Sequence, residues 1–179
     1  MVAIMREILR KYPNCEFGRE LFPGNPVPIL RVSGGKTTAD VADWGYLTQK
    51  GKRVYNARSE TLLEKPLFGK DFFQNRCVIP VTGFCEWDGD GTGWDFLPQE
   101  EEMLYLAGVC RKKTEGWEAT VVTEHAAGCV GEIHHRTPLI LSGENLRQWL
   151  YDETQARQFL EEAKERVLLK RKKMEGETL

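Results

Sequence analysis

The spacing of apolar residues predicts a helix at the start of the chain and strands over most of the remainder. The first apolar set recurs at helical intervals: Ile4, Met5, Ile8, Leu9 and Tyr12. These positions share one helix face, and Pro13 ends the helix. From residue 23 onward, short apolar runs such as 27–32 alternate with turn clusters such as 33–36, which is typical of strands.

Three later stretches are apolar enough for buried strands: 77–87, 103–110 and 119–123. The glycine-rich segment 88–99 is predicted as a loop after the first stretch, and 112–116 as a tight turn between the other two. Strands that follow one another through such connections pair antiparallel.

Two helices are predicted near the end of the chain. Ser142 precedes Glu144 and a periodic apolar segment, which indicates a capped helix, and 154–169 has the spacing of a second, amphipathic helix. No βαβ rhythm occurs, so we expect an α+β domain with a curled, mainly antiparallel sheet or barrel and flanking helices. We assign this single domain to 1–169, and 170–179 to a basic, polar, solvated tail.

The composition of the 179 residues sets wide limits on function. A hydrophobic content of 41% supports one domain with a substantial core. The formal net charge of -2 gives no general attraction to nucleic acid, so DNA binding needs a local basic patch. Five cysteines without a CxxC pair indicate reduced thiols in a cytoplasmic protein, and no apolar run is long enough to span a membrane.

Glu86 is the strongest candidate for acid–base chemistry. It lies in the mainly apolar stretch 81–87, where a carboxylate is costly unless it is paired. Partial burial raises the pKa of a carboxyl group toward the range useful for proton transfer. The alternative is a structural carboxylate bound to Arg58 or Arg136.

His134 is a second candidate because it lies just before the apolar segment 139–141, at the start of a predicted strand. Imidazole titrates near neutral pH, and strand ends present such groups from a rigid scaffold. A lone histidine is more often structural, but the neighbouring His135 and Arg136 favour a functional cluster.

Asn56 and Arg58 lie where the predicted strand 53–55 ends. The Asn56 amide could orient a carbonyl or aldehyde oxygen, or Asn56 or Ser59 could cap a following helix, and spacing alone favours the cap. Two interpretations of Arg58 remain open: a phosphate contact and a salt bridge to Glu60 or Glu86.

Aromatic and basic residues supply the ingredients of a single-strand binding surface: Trp44, Tyr46, Arg58, Arg76 and Arg136. Aromatic rings stack on exposed bases and guanidinium groups hold phosphates without sequence preference. Tryptophan and tyrosine are also common core residues of β proteins, so composition leaves both interpretations open.

A thiol hydrolase is an alternative enzyme class, with Cys85 or Cys129 as nucleophile and His134 as base. Successive residues of a strand point to opposite faces, so Cys85 should point away from any site that contains Glu86. The one conceivable zinc set has no compact ligand spacing: Cys110, Cys129, His125 and His134. We expect neither a metal nor another cofactor.

Four short motifs follow one another along the chain: Asn-Ala-Arg-Ser-Glu at 56–60, Arg-Cys-Val-Ile-Pro at 76–80, Gly-Phe-Cys-Glu-Trp at 83–87 and His-His-Arg-Thr-Pro at 134–138. Each motif is weak alone, but the ordered set is specific. Together they resemble the SOS-response-associated peptidase (SRAP) family, and the resemblance extends over residues 21–150.

The resemblance implies a partner and a chemistry. Family members capture abasic sites in single-stranded DNA after removal of the initiator methionine. The amine and thiol of an amino-terminal cysteine condense with the ring-opened sugar aldehyde, through a Schiff base, to a thiazolidine. By resemblance, Asn56 orients the cysteine or the sugar, Glu86 assists proton transfer, and His134 acts as an acid toward the opened sugar. Three further residues are expected along the DNA cleft: Trp44, Arg58 and Arg136.

The residue after Met1 is Val2, where the family has its cysteine. Without that thiol, we expect no crosslinking by the chain as it stands. We expect Met1 to be an internal methionine of a longer natural product whose preceding segment carries the cysteine. The non-enzymatic alternative is an inactive homologue that binds single-stranded DNA or a protein partner.

Overall fold

The computed structural model describes residues 2–13, 20–99, 102–161 and 168–173. The helices in these ranges are α1 (Val2–Lys11), α2 (Gly69–Gln74), α3 (Gly128–Gly131), α4 (Gly143–Tyr151) and α5 (Glu153–Glu161), with a 3-10 helix at Ser59–Thr61. The strands are β1 (Pro26–Ser33), β2 (Lys36–Trp44), β3 (Tyr46–Leu47), β4 (Arg53–Val54), β5 (Asn56–Arg58), β6 (Arg76–Val81), β7 (Phe84–Trp87), β8 (Gly93–Pro98), β9 (Leu104–Lys112), β10 (Trp117–His125), β11 (Arg136–Pro138), β12 (Ile140–Leu141) and β13 (Leu168–Lys172). Among the described helices, none has the length and apolar character needed to cross a bilayer.

Five strands close into a barrel. β1 pairs antiparallel with β2 and with β6, β6 pairs antiparallel with β9, and β9 pairs antiparallel with β10. Parallel pairing of β10 with β2 completes the ring. Three short strands extend it, because β5 and β11 pair with β10 and β12 pairs with β9. The predicted α+β class with a curled, mainly antiparallel sheet is confirmed.

Side-chain alternation along the strands divides the core into two layers. The inner layer fills the ring: Val27, Ile29, Cys77, Ile79, Leu106, Cys110, Ala119 and Val121. The outer layer joins the barrel to the helices: Leu30, Val78, Val109 and Val122 pack in one cluster with Ile8, Phe72, Trp149 and Phe159. Trp149 is fully buried and donates its indole N–H to the carbonyl oxygen of Cys77 at 2.9 Å, which fixes α4 against β6.

A second, three-stranded antiparallel sheet is formed by β7, β8 and β13. The strand predicted over 77–87 is interrupted at Thr82 and Gly83, so that β7 leaves the barrel and carries Glu86 away from it. The loop predicted over 88–99 is wrong for 93–98, which form β8. A helix extending to 169 is wrong for 168–169, because backbone pairing with β8 makes 168–172 a strand. Residues 170–172, predicted as a solvated tail, are exposed but belong to this strand.

Candidate active site

The carboxyl-terminal end of β10 gathers two of the sequence motifs. β5 pairs with one edge of β10, with Arg58 opposite Thr123, and β11 pairs with the other edge, with Pro138 opposite the same residue. The motifs at 56–60 and 134–138 therefore flank one strand end, although they are far apart in sequence. This proximity is a product of the barrel closure.

Glu86 and His134 meet beside this strand end. Nδ1 of His134 lies 3.7 Å from Oε2 of Glu86, and the two side chains are 34% and 26% exposed. The separation is longer than a hydrogen bond but short enough for direct electrostatic interaction. Partial exposure leaves both groups accessible to a ligand. The structure thus brings together two of the three catalytic residues expected from the resemblance.

The environment of Glu86 favours its protonated form. Burial raises the pKa of the Glu86 carboxyl group, and the nearby His134 opposes this effect. Loss of hydration disfavours the charged form of a carboxyl group, so Glu86 keeps its proton to a higher pH than an exposed glutamate does. The shift is in the direction that general acid catalysis requires of a carboxyl group.

The backbone of Arg136 holds His134 in either protonation state. The Arg136 N–H group lies 3.2 Å from Nδ1 of His134, and the Arg136 carbonyl oxygen lies 3.0 Å from the same nitrogen. An unprotonated Nδ1 accepts from the N–H group, and a protonated Nδ1 donates to the carbonyl oxygen. His134 can therefore gain or lose a proton without leaving this nitrogen unpaired.

The Arg136 side chain ties the two motifs together. Its guanidinium group donates to both carboxylate oxygens of Glu60, one of them at 2.9 Å, and to the carbonyl oxygen of Thr123 at 2.6 Å. His125 Nε2 lies 2.9 Å from Glu60 Oε1. Arg136 is buried, and its carboxylate partner is Glu60, whereas the sequence had suggested Glu86 as its partner. The bridge fixes the turn after β5 to β11 across the end of β10.

This bridge predicts a contribution to stability that disappears in acid. The hydrogen bond from Arg136 lowers the pKa of Glu60 to about 2. Because the folded-state pKa lies below the unfolded one, the contribution is complete above the ordinary pKa and is lost as pH falls through about 2. We expect Glu60→Gln to be less stable than the unaltered chain at neutral pH and to lose less stability in acid, as measured by urea unfolding at several pH values. Parallel pH profiles for the two proteins would contradict the bridge.

Asn56 and Arg58 lie on β5, with exposed side chains on either side of the buried Ala57. The cap interpretation is wrong, because Arg58 is the N-cap of the 3-10 helix and no side chain caps it. Within the described residues, no side-chain hydrogen bond joins Asn56 to Glu86 or His134. Asn56 lies opposite Val121 on β10.

The remaining candidates for binding single-stranded DNA are partly surface residues and partly core residues. Trp44 is half-buried beside β5 and donates its indole N–H to the Tyr55 carbonyl oxygen at 3.2 Å. Tyr46 is fully buried and donates to Asp71, so the core interpretation is correct for it. Arg76 donates to the carbonyl oxygens of Trp149 and Phe72, a structural role.

The thiol alternative receives little support. Cys85 lies opposite Asp95, on the face of β7 that points away from Glu86, as the strand alternation predicts. Burial raises the pKa of the Cys85 thiol, which disfavours the nucleophilic thiolate. Among the residues that the structure describes, no group of three or more histidine, cysteine, aspartate or glutamate side chains is arranged to hold a metal ion.

Two residues on the Glu86 face of the three-stranded sheet were not found by sequence reasoning. Trp94 on β8 is the cross-strand partner of Glu86. Lys170 on β13 places its Nζ atom 5.3 Å from the centroid of the Trp94 ring, and the same atom pairs with Glu132. No local signal could identify them, because their strands are absent from the predicted elements.

Comparison with known proteins gives a family match and several relatives. The sequence model of the SOS response associated peptidase (SRAP) family matches residues 9–175. The chain is 31% identical over 119 residues to the abasic site processing protein YoqW of Bacillus subtilis, covering 62% of this chain and 53% of YoqW. It is 32% identical over 127 residues to the abasic site processing protein HMCES of Gallus gallus, covering 55% of this chain and 38% of that protein. The matches thus span about half, or less, of these relatives' lengths.

Two solved structures share the fold. A protein from Bacteroides thetaiotaomicron has a TM-score of 0.71 and 21% identity, covering 89% of this chain and 82% of that one. A phage-related protein from Bordetella bronchiseptica has a TM-score of 0.73 and 19% identity, covering 94% of this chain and 88% of that one. At these identities the likeness concerns the fold alone.

Proposed function

Because this chain belongs to the SOS response associated peptidase family, we propose that it recognises abasic sites in single-stranded DNA and receives the ring-opened sugar beside Glu86 and His134. The names of the relatives YoqW and HMCES support the substrate. The observation that carries the proposal is the 3.7 Å approach of a carboxyl group with a raised pKa to an imidazole beside the end of β10.

The pair is suited to the condensation of an amine with an aldehyde. The amine must lose a proton as it attacks, and the hydroxyl group of the resulting carbinolamine must be protonated to leave as water. We assign proton donation to Glu86, since burial raises the pKa of its carboxyl group. His134 exchanges the second proton, because the Arg136 backbone satisfies both forms of its ring. Asn56 orients the sugar oxygen from β5.

The DNA strand is proposed to follow β5. Trp44 offers a ring face for base stacking. The exposed side chain of Arg58 forms no salt bridge with another described residue, so its guanidinium group is available to phosphates. Arg136 is assigned a positioning role, because its buried side chain is engaged by Glu60 and Thr123. This revises the direct DNA contact expected for Arg136 from the resemblance.

Covalent capture requires an amine and a thiol that act on one carbon atom. A second candidate function is a binding module without chemistry. Free cysteine supplied in solution separates the two candidates. A catalytic cleft accelerates thiazolidine formation on a bound abasic sugar, whereas a binding module leaves the rate unchanged or protects the sugar.

We expect Arg58→Ala to weaken binding to single-stranded DNA at low salt and to reduce the slope of log affinity against log salt by about 0.7, the value for one phosphate contact. Fluorescence anisotropy with an oligonucleotide that contains one abasic site measures both quantities. Arg147→Ala is the matched control, since Arg147 is an exposed arginine on α4. An unchanged slope in Arg58→Ala, or tighter binding to intact duplex, would count against the proposed DNA path.

A further inference from the structure

Lys170 brings a primary amine to the face of the three-stranded sheet that carries Glu86. Lys170 lies opposite Phe96 on β8, and Phe96 lies opposite Phe84 on β7. Side chains directly opposite one another share a face, as do residues two apart on a strand. Lys170, Phe84 and Glu86 therefore point to the same side of the sheet.

Two contacts hold the Lys170 amine near the candidate site. Its Nζ atom lies 5.3 Å from the centroid of the ring of Trp94, the cross-strand neighbour of Glu86. The same atom pairs with Glu132, which precedes His134 by two residues. The amine thus lies between β8, which pairs with the strand that carries Glu86, and the segment that carries His134.

We propose that Lys170 is a Schiff-base nucleophile and that the chain cleaves abasic DNA as a lyase. This activity rests on the proposed function, because the sugar must first reach the cleft. It needs no amino-terminal cysteine. The three-stranded sheet places the amine there through its own backbone pairing.

The reaction balances without an oxidant or a reductant. The unprotonated amine attacks C1′ of the ring-opened sugar, and loss of water gives a protonated imine. Glu86 or His134, in its unprotonated form, removes a proton from C2′. The electron pair forms a double bond between C2′ and C3′ as the C3′–O bond breaks, and the downstream strand leaves with a 5′ phosphate. Water then hydrolyses the imine, which regenerates Lys170 and leaves an unsaturated aldehyde on the upstream strand.

The ion pair with Glu132 leaves the Lys170 amine able to reach a bound sugar. The Glu132 side chain is 62% exposed, so the pair is weakly held. Glu86 lies on the same face of the three-stranded sheet as Lys170, and His134 follows Glu132 by two residues.

Borohydride trapping tests the proposal directly. Reduction of the imine fixes the protein to the oligonucleotide as a secondary amine, visible as a covalent complex on a denaturing gel. The unaltered chain should give this complex together with the strand-cleavage product. Lys170→Arg should lose at least about tenfold of both while binding abasic DNA normally. Lys172→Arg, two residues along the same strand, should behave as the unaltered chain.

Peptide mapping of the trapped complex identifies the reacting amine. A DNA adduct on Lys170 supports the assignment, and an adduct on the α-amine or another lysine overturns it. Absence of any adduct while abasic DNA remains bound also overturns the lyase but leaves the proposed function intact. Failure to bind abasic DNA at all would instead reject the proposed function, and the lyase with it.

Discussion

Glu86→Gln is expected to slow the reaction of a bound abasic sugar with free cysteine by about 10²-fold, the lower end of the usual contribution of general acid–base catalysis. Glutamine keeps the size and one oxygen acceptor of glutamate but has no acidic proton to transfer to a leaving hydroxyl group. Affinity for the oligonucleotide should change by less than about twofold, because the loss concerns the transition state. Mass spectrometry of the oligonucleotide at timed intervals measures thiazolidine formation, with protein in excess of DNA.

Glu144→Gln is the matched control for this experiment, since Glu144 lies in the exposed first turn of α4. It should leave the rate unchanged. Equal rates for Glu86→Gln and the unaltered chain would remove Glu86 from the chemistry. No acceleration by the unaltered chain over buffer would favour the binding module.

Arg136→Met is expected to lower the free energy of unfolding by about 2 to 4 kcal/mol. Removal of the Arg136 guanidinium group leaves the Glu60 carboxylate without its partner, and the Thr123 carbonyl oxygen also loses its donor. The effect falls toward the lower end of this range because the Glu60 side chain is 38% exposed and water can solvate it. Urea unfolding followed by tryptophan fluorescence measures the change.

A double-mutant cycle with Glu60→Gln separates the bridge from the loss of side-chain volume. The double variant should be more stable than the sum of the two single changes predicts, because Glu60→Gln removes the carboxylate charge that Arg136→Met leaves unpaired. Strict additivity would show that the two side chains do not stabilise each other. The Arg136→Met variant should also react more slowly with the abasic sugar, since its bridge holds the segment that positions His134.

Local chemistry predicted several elements correctly. α4 begins at Ser142, whose hydroxyl group accepts a hydrogen bond from the Asn145 N–H group at 3.3 Å, as its spacing from Glu144 indicates. α1 spans the helical apolar pattern at the start of the chain. Such elements could be identified because the capping residues and apolar spacing that signal them lie within one or two helical turns of one another.

β8 and β13 escaped prediction because their stability comes from pairing. Asp95, at the centre of β8, is almost fully buried, and a buried aspartate breaks the apolar pattern of a strand. β13 is rich in basic residues and has only Leu168 and Leu169 as apolar members. Its strand conformation follows from the register with β8, which local propensity does not encode.

The candidate site was predictable in part. Glu86 and His134 were identified from an unusual carboxylate in an apolar run and from a motif order, and the fold brings them together. The bridge from Arg136 to Glu60 was missed because nearer partners for both residues are present in sequence. Arg136 pairs with the distant Glu60 because barrel closure places β5 and β11 on opposite edges of β10.

The central claim is that Glu86 and His134 form one cleft for an abasic sugar. The most direct measurement is carbon-13 NMR of the Glu86 side-chain carboxyl group, assigned with Glu86→Gln, together with the His134 ring resonances. The pKa of Glu86 should lie above that of an exposed glutamate, because burial favours its neutral form. An abasic single-stranded oligonucleotide should shift the resonances of both residues, and an intact oligonucleotide of the same sequence should not. Binding of the abasic oligonucleotide with both sets of resonances unmoved would contradict the claim.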